Sequence, residues 1–141
     1  MKEVKFRGKR IDNDNWIYGL IVKTSFNWYI LKKGSDGFYD DCKVELKTIG
    51  QYTGLKDKNE QEIYEGDILQ LESPKRHYTG GYIAGKYELG DTVIVSFKEG
   101  NFIDEWTEKP LHERIYGIVH RKIEHEVVGN IYENPDLLGS D

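Results

Sequence analysis

Apolar and aromatic positions along this chain fall in short runs, and nowhere do they hold a helical period for long. The runs are Val4–Phe6, Trp16–Val22, Trp28–Leu31, Val44–Tyr52, Asp67–Leu71, Thr92–Phe97, Asn101–Trp106, Ile115–His120 and Glu126–Tyr132. Short β-branched and aromatic runs between turn signals predict an all-β or β-rich domain of antiparallel strands, barrel- or sandwich-like, with short helical turns only. Between the runs stand Asp12-Asn13-Asp14-Asn15, Gly34-Ser35-Asp36-Gly37, Lys56-Asp57-Lys58-Asn59 and Lys98-Glu99-Gly100-Asn101, which supply residues that tolerate positive φ or bond their own backbone, as hairpin turns require. Val93, Val95 and Phe97 share one face, so Thr92–Phe97 is expected to be half-buried; Trp16–Val22 is apolar on both faces and is expected to be more fully covered. The core is expected around these two runs. Helical turns are expected only around Pro110–Arg114 and from Pro135, where proline fits a first helical turn.

Residues 72–90, ESPKRHYTGGYIAGKYELG, hold no period and read as a long loop or a mobile hairpin, a kind of segment that often carries function. No repeat, low-complexity tract or compositional shift marks a linker. The 141 residues therefore read as a single domain over 1–141, with at most two sub-lobes meeting near 57–60. A chain of this size buries roughly 68% of its unfolded surface, enough for a core without staples. The single cysteine, Cys42, can form no internal disulfide, which suits a reducing cytoplasm. The opening MKEVKFRGKR is charged where a signal peptide is apolar, and no run approaches the roughly 18 apolar residues of a membrane helix. Net charge is −5, with 20 basic and 25 acidic residues. That balance argues against a broad electrostatic grip on nucleic acid, though not against a local basic patch.

The candidate chemistry is sparse. Gly80-Gly81-Tyr82-Ile83-Ala84-Gly85-Lys86 follows a phosphate-loop spacing up to the lysine, but Tyr87 stands where a magnesium-binding hydroxyl belongs, and no strand-to-helix context surrounds it. Asp12, Asp14 and Asn15 lack the closing glutamate of a calcium loop. His112, His120 and His125, with Glu113, Glu124 and Glu126, are the candidate metal ligands, and a charged surface hairpin is the better account of them. Cys42 follows Asp40 and Asp41, neighbours that make a thiol a poor nucleophile. Glu62, Glu65 and Asp67 could serve as an acid–base pair only inside a desolvating cleft, and otherwise read as turn residues. Aromatic residues interleave with lysine in Phe26–Lys33 and in Lys75–Tyr78, a pattern that a single-strand platform shares, but the acidic total weakens that reading and cross-strand pairing is the better account. No catalytic, cofactor-binding or metal-binding residue is assigned, and no cofactor is expected.

Three blocks together resemble the YopX family of phage and prophage proteins. They are Val4–Arg10 with Trp16–Gly19; Gly50–Lys58 followed by Glu62–Ile68; and Val128–Pro135. Its signature falls on Gly50, Gln51, Tyr52, Gly54, Leu55, Asp57, Glu62, Ile63, Tyr64, Gly66, Asp67, Gly129, Asn130 and Pro135. Those residues read as structural. Gly54 and Gly66 suit tight turns or close backbone approach, Asp57 and Asn59 shape a turn, and Leu137 and Leu138 can lie in an apolar groove of the same or a neighbouring subunit. The resemblance implies a phage or prophage origin, an intracellular accessory role during the phage cycle and a homo-oligomer, with no catalytic residues to carry over; the leading reading is a non-catalytic protein of the host cytoplasm that binds a phage or host macromolecule. Second to this stands a nucleic-acid-binding module using the barrel-like C-terminal half, and third a small enzyme whose site forms between subunits.

Overall fold

The computed structural model describes residues 4–37, 39–71, 75–76, 82–83, 92–116 and 124–138. The strands in chain order are β1 (Phe6–Lys9), β2 (Trp16–Lys23), β3 (Trp28–Lys33), β4 (Tyr39–Val44), β5 (Gly50–Lys56), β6 (Glu62–Tyr64), β7 (Asp67–Leu71), β8 (Lys75–Arg76), β9 (Tyr82–Ile83), β10 (Thr92–Lys98), β11 (Asn101–Asp104) and β12 (His125–Asn130). One helix, α1 (Leu111–Tyr116), and 3-10 turns at Leu46–Thr48 and Pro135–Leu138 complete the described elements. The fold is β-rich and antiparallel, as the hairpin chemistry of the sequence requires. The chain divides into two compact units, Met1–Leu55 and Lys56–Asp141.

In the first unit the strand order is β4-β3-β2-β1-β5. The β1–β2 turn is held by Arg10, whose guanidinium donates to both carboxylate oxygens of Asp12 at 3.0 and 2.8 Å, and by Asn13 Oδ1, which accepts from the Asn15 N–H. The residues that resembled part of a calcium loop are thus committed to a hairpin. Register places Phe6, Gly8, Ile17, Ile21, Ile30, Cys42 and Val44 on one side of the sheet. That side is the core: Ile17, Ile30 and Val44 are buried, with Phe6, Ile21, Trp28, Cys42 and Ile49 packed against them. The sheet curls around this cluster until β4 meets β1, through an Arg10–Val44 bridge and a hydrogen bond from Glu45 N–H to the Lys9 carbonyl. A single bridge leaves the sheet open.

The second unit holds a sheet in the order β11-β10-β7-β12. In β7, Ile68 and Leu69 point to opposite sides and both are fully buried, as are Val93, Ile94 and Val95 in β10 to within 5%. The helix contributes Leu111 and Ile115, four residues apart and therefore on one face. Strands β8 and β9 pair with each other; the rest of 72–90, including most of the phosphate-loop-like stretch, lies outside the described residues.

Several expectations are corrected. Thr92–Phe97 is covered on both faces over Val93–Val95, whereas in Trp16–Lys23 only Ile17 is buried, and Tyr18, Leu20 and Val22 are exposed. Val44–Tyr52 is not one strand. It breaks at Leu46–Thr48, where the Thr48 hydroxyl donates to the Glu45 carbonyl at 2.6 Å and accepts from the Lys9 N–H. Ile115 and Tyr116, placed in a strand by their β propensity, belong to α1, and residues 117–120 lie outside the described set. Strand β4 went unrecognised because Asp40 and Asp41 mask its alternation.

Candidate macromolecular interface

The side of the first sheet opposite its core buries Arg7 beside Gly50 and is more open along β2. Direct cross-strand partners share a face, so the pairs Lys9–Trp16, Arg7–Tyr18, Leu20–Leu31 and Val22–Tyr29 all lie on that side together, Arg7 buried and the others half-buried or exposed. Tyr18 is 43% exposed, Leu20 47% and Val22 37%, which makes a contiguous apolar strip down β2 rather than scattered single residues. Trp16, Tyr29 and Leu31 flank the strip and are half-buried. Contiguity matters because isolated exposed apolar residues need no explanation, while a rimmed patch marks an interaction site.

The rim is basic. The Arg7 guanidinium lies 4.5 Å from the centre of the Trp16 ring and Lys9 Nζ 5.8 Å from it, both within the range of cation–π attraction. Lys33 and Lys43 lie on the same face, exposed, with Asp41 between them in register. The wider unit follows suit. Met1–Leu55 holds ten Lys and Arg against seven Asp and Glu, a net +3, whereas Lys56–Asp141 holds ten against eighteen, a net −8.

In the second unit the conspicuous polar residues serve the scaffold. Asp57 is buried, and its carboxylate accepts backbone N–H bonds from Asn59 (2.8 Å), Gln61 (2.9 Å) and Val127 (2.9 Å). Burial pushes this carboxyl up, but the three N–H donors and the proximity of His125 outweigh it and hold the group below its ordinary value. His125 is buried as well, with Nε2 3.2 Å from the Lys56 carbonyl oxygen, and its own carbonyl accepts from the Lys58 N–H. The turn after β5 is thereby pinned to β12. Asp67 Oδ2 accepts the Tyr64 N–H at 2.7 Å, and the Tyr64 hydroxyl donates to Glu62 at 3.0 Å, so these carboxylates shape a turn rather than face a cleft.

The remaining signature residues join the same framework. Gly66 has φ +96°, and a Cβ there would lie 2.8 Å from the Tyr132 ring; at Gly129 a Cβ would lie 2.5 Å from Asn134 Oδ1. That oxygen accepts the Asn130 N–H, while Asn130 Oδ1 accepts from Tyr132 and Glu133, and Pro135 opens the 3-10 turn that follows. Gly50, Gln51, Tyr52, Gly54 and Leu55 lie along β5, with Gly54 at φ +86°. Ile63 is fully buried in β6.

A cleft of about 420 Å³ in the second unit is lined by Thr92, Asp104, Trp106, Arg114, Leu137 and Leu138. Its acid is fully engaged: Asp104 accepts from Arg114 Nε, the Thr107 hydroxyl and the Trp106 N–H at 3.0, 3.0 and 3.1 Å. Leu137 and Leu138 reach this cleft within their own chain. Among the described residues no three His, Cys, Asp or Glu side chains gather as metal ligands. His112 stacks on Tyr116 in α1, His125 is in the pin, and His120 lies outside the described residues. No helix among those residues is long and apolar enough to cross a membrane.

Sequence reasoning found the aromatic and basic residues of Phe26–Lys33 but not the strip on β2, which it assigned to the core. The signal was present: a strand apolar on both faces beside a lysine-rich partner strand has one face to spare.

A family model described as YopX protein matches residues 2–139. The crystal structure of protein EF1440 from Enterococcus faecalis is similar, with a TM-score of 0.57 and 24% identity over 99% of this chain and 100% of that one. At this identity the likeness is one of fold. No curated protein matches the chain.

Proposed function

Because the chain belongs to the YopX family, we propose that it is a phage-type accessory protein that acts in the host cytoplasm by binding another macromolecule, without catalysis of its own. The observation that carries this reading is the uncovered apolar strip Tyr18-Leu20-Val22 with its basic rim. Burying such a strip against a partner removes apolar area from water at about 25 cal/mol per Å², and the aromatic and arginine residues beside it are of the types that anchor interfaces. Self-association belongs to the same reading. Strands β11 and β12 end the second sheet, and sheet ends invite pairing with another copy unless blunted.

Affinity capture from prophage-induced cells tests the proposal, using the native chain and a Tyr18→Ala/Leu20→Ser variant. Capture of a defined macromolecule by the native chain, lost in the variant, is the expected result. Equal capture by both would overturn the assignment of the face.

A further inference from the structure

We infer that the cleft beside Trp106 binds a small, uncharged, planar ligand that carries hydrogen-bond acceptors along one edge, as the guanine ring does. The inference stands apart from the β2 face, since every residue it uses lies in the second unit. Its first support is the Trp106 ring. Trp106 is 58% exposed, lines the cleft together with Leu137 and Leu138, and has no ring or cation packed on it among the described residues. A tight turn holds it there. The Asp104 carboxylate accepts the Trp106 N–H and the Thr107 hydroxyl, the Asp104 carbonyl accepts the Glu108 N–H at 2.7 Å, and the Asp104 N–H donates to the Lys109 carbonyl at 2.9 Å. Glu108 adopts φ +58° within this turn, a conformation uncommon for a residue other than glycine. The turn thus presents a large flat apolar surface at the mouth of the cleft.

The second support is Arg114 on α1, which lines the same cleft. Its Nε donates to the fully buried carboxylate of Asp104 at 3.0 Å, and among the described residues its two terminal nitrogens have no partner, although the side chain is 24% exposed. The ion pair fixes the guanidinium and neutralises its charge. What remains for a ligand is a planar set of N–H donors, with no net positive field. The Thr92 hydroxyl, also on the cleft wall, has no side-chain partner among the described residues. The nearby exposed charges are Glu105, Glu113 and Asp136 against Lys109, Glu108 being paired with Lys98 at 3.4 Å. A carboxylate or phosphate therefore meets repulsion, and an uncharged ligand does not. A flat ring stacks on Trp106, and two adjacent acceptors on its edge, such as guanine O6 and N7, match the paired N–H groups of an arginine. The volume of about 420 Å³ suits a small molecule rather than a chain.

The test titrates the full chain with inosine, whose ring carries the same pair of acceptors, and follows the indole N–H signals of Trp16, Trp28 and Trp106 by NMR, with Trp106→Phe assigning the third. A saturable shift of the Trp106 signal, with those of Trp16 and Trp28 unmoved, is the expected result. Trp106→Ala should weaken binding about fivefold or more. Arg114→Lys, which keeps a cation for Asp104 but loses the planar donors, should weaken it about fivefold or more as well. Adenosine, which places a donor beside its acceptor on that edge, should bind about fivefold or more weakly than inosine, and inosine monophosphate no more tightly. An otherwise native amide spectrum shows that each variant is folded; if Arg114→Lys is not, Trp106→Ala and adenosine decide the matter. Four outcomes overturn the inference: no saturable shift at millimolar inosine, equal shifts at all three tryptophans, undiminished binding by folded Trp106→Ala, or adenosine bound as tightly as inosine. Tighter binding of the monophosphate overturns it too, because the ligand would then be an anion. None of these results bears on capture through the β2 face, so the two readings fail separately.

Discussion

The two units of this chain use similar strands to opposite ends. In Lys56–Asp141 the central strands β7 and β10 are buried on both faces, through Ile68, Leu69, Val93, Ile94 and Val95, and their turns are tied down by Asp57, Asp67 and Asn130. In Met1–Leu55 the sheet has one core, around Ile17, Ile30 and Val44, and turns an aromatic and aliphatic strip to solvent. Charge divides along the same boundary, +3 against −8. The difference teaches that apolar content does not by itself mark stability. The apolar residues of β7 hold the protein together, while those on the outer side of β2 are available to something else.

Substitutions can break this contrast. The largest effect is expected for Leu69→Ala, which empties a fully buried site and should cost about 2–5 kcal/mol in denaturant unfolding; a loss below about 1 kcal/mol would mean the second unit is not the rigid half. Asp57→Asn should cost about 1–3 kcal/mol, because it weakens three charge-assisted bonds in a buried turn. Its signature is pH dependence. The native carboxyl sits below the ordinary value of 3.8, so the unfolded chain takes up the proton first. The charge of Asp57 therefore contributes its full stabilisation above that value and loses it as pH falls through the lower native pKa. Unfolding of the native chain and of Asp57→Asn, compared from neutral pH down to acid, should show the gap between them closing in acid. A gap constant across that range contradicts the role assigned to this carboxylate.

Gly66→Val should lower stability by more than about 1 kcal/mol, since valine neither adopts φ near +96° readily nor fits beside the Tyr132 ring. Native-like melting of that variant would show the Gly66–Tyr132 contact to be dispensable. At the other extreme, Leu20→Ser on the outer face of β2 should change stability by less than about 0.5 kcal/mol. A large loss there would show that the strip is core after all.

Turn chemistry was the most legible level of the sequence. All four polar clusters, from Asp12–Asn15 to Lys98–Asn101, fall between strands, because positive φ and side-chain capping are local requirements that a few residues state outright. Pro110 and Pro135 likewise announce the short helical turns that follow them. Which apolar face is covered was not legible. Alternation in β2 and β10 reports that a side chain is apolar, not what lies opposite it, and the expected burial of the two strands came out reversed. Strand β4 was hidden for a related reason: it ends the first sheet, where charged residues such as Asp40 and Asp41 are tolerated and the period is blurred. The site stayed unread because it is a surface made of ordinary strand residues, visible only once register sets Trp16, Tyr18 and Leu20 beside Arg7, Lys9 and Leu31.

The central claim is that the outer face of β2, and not the cleft beside Trp106, meets the partner. Placing a benzophenone amino acid at Leu20 in one variant and at Trp106 in another, then irradiating prophage-induced cells, compares the two surfaces directly, since both positions are exposed. Adducts with another macromolecule from position 20, and none from position 106, are the expected result; adducts from position 106 with none from position 20 would contradict it.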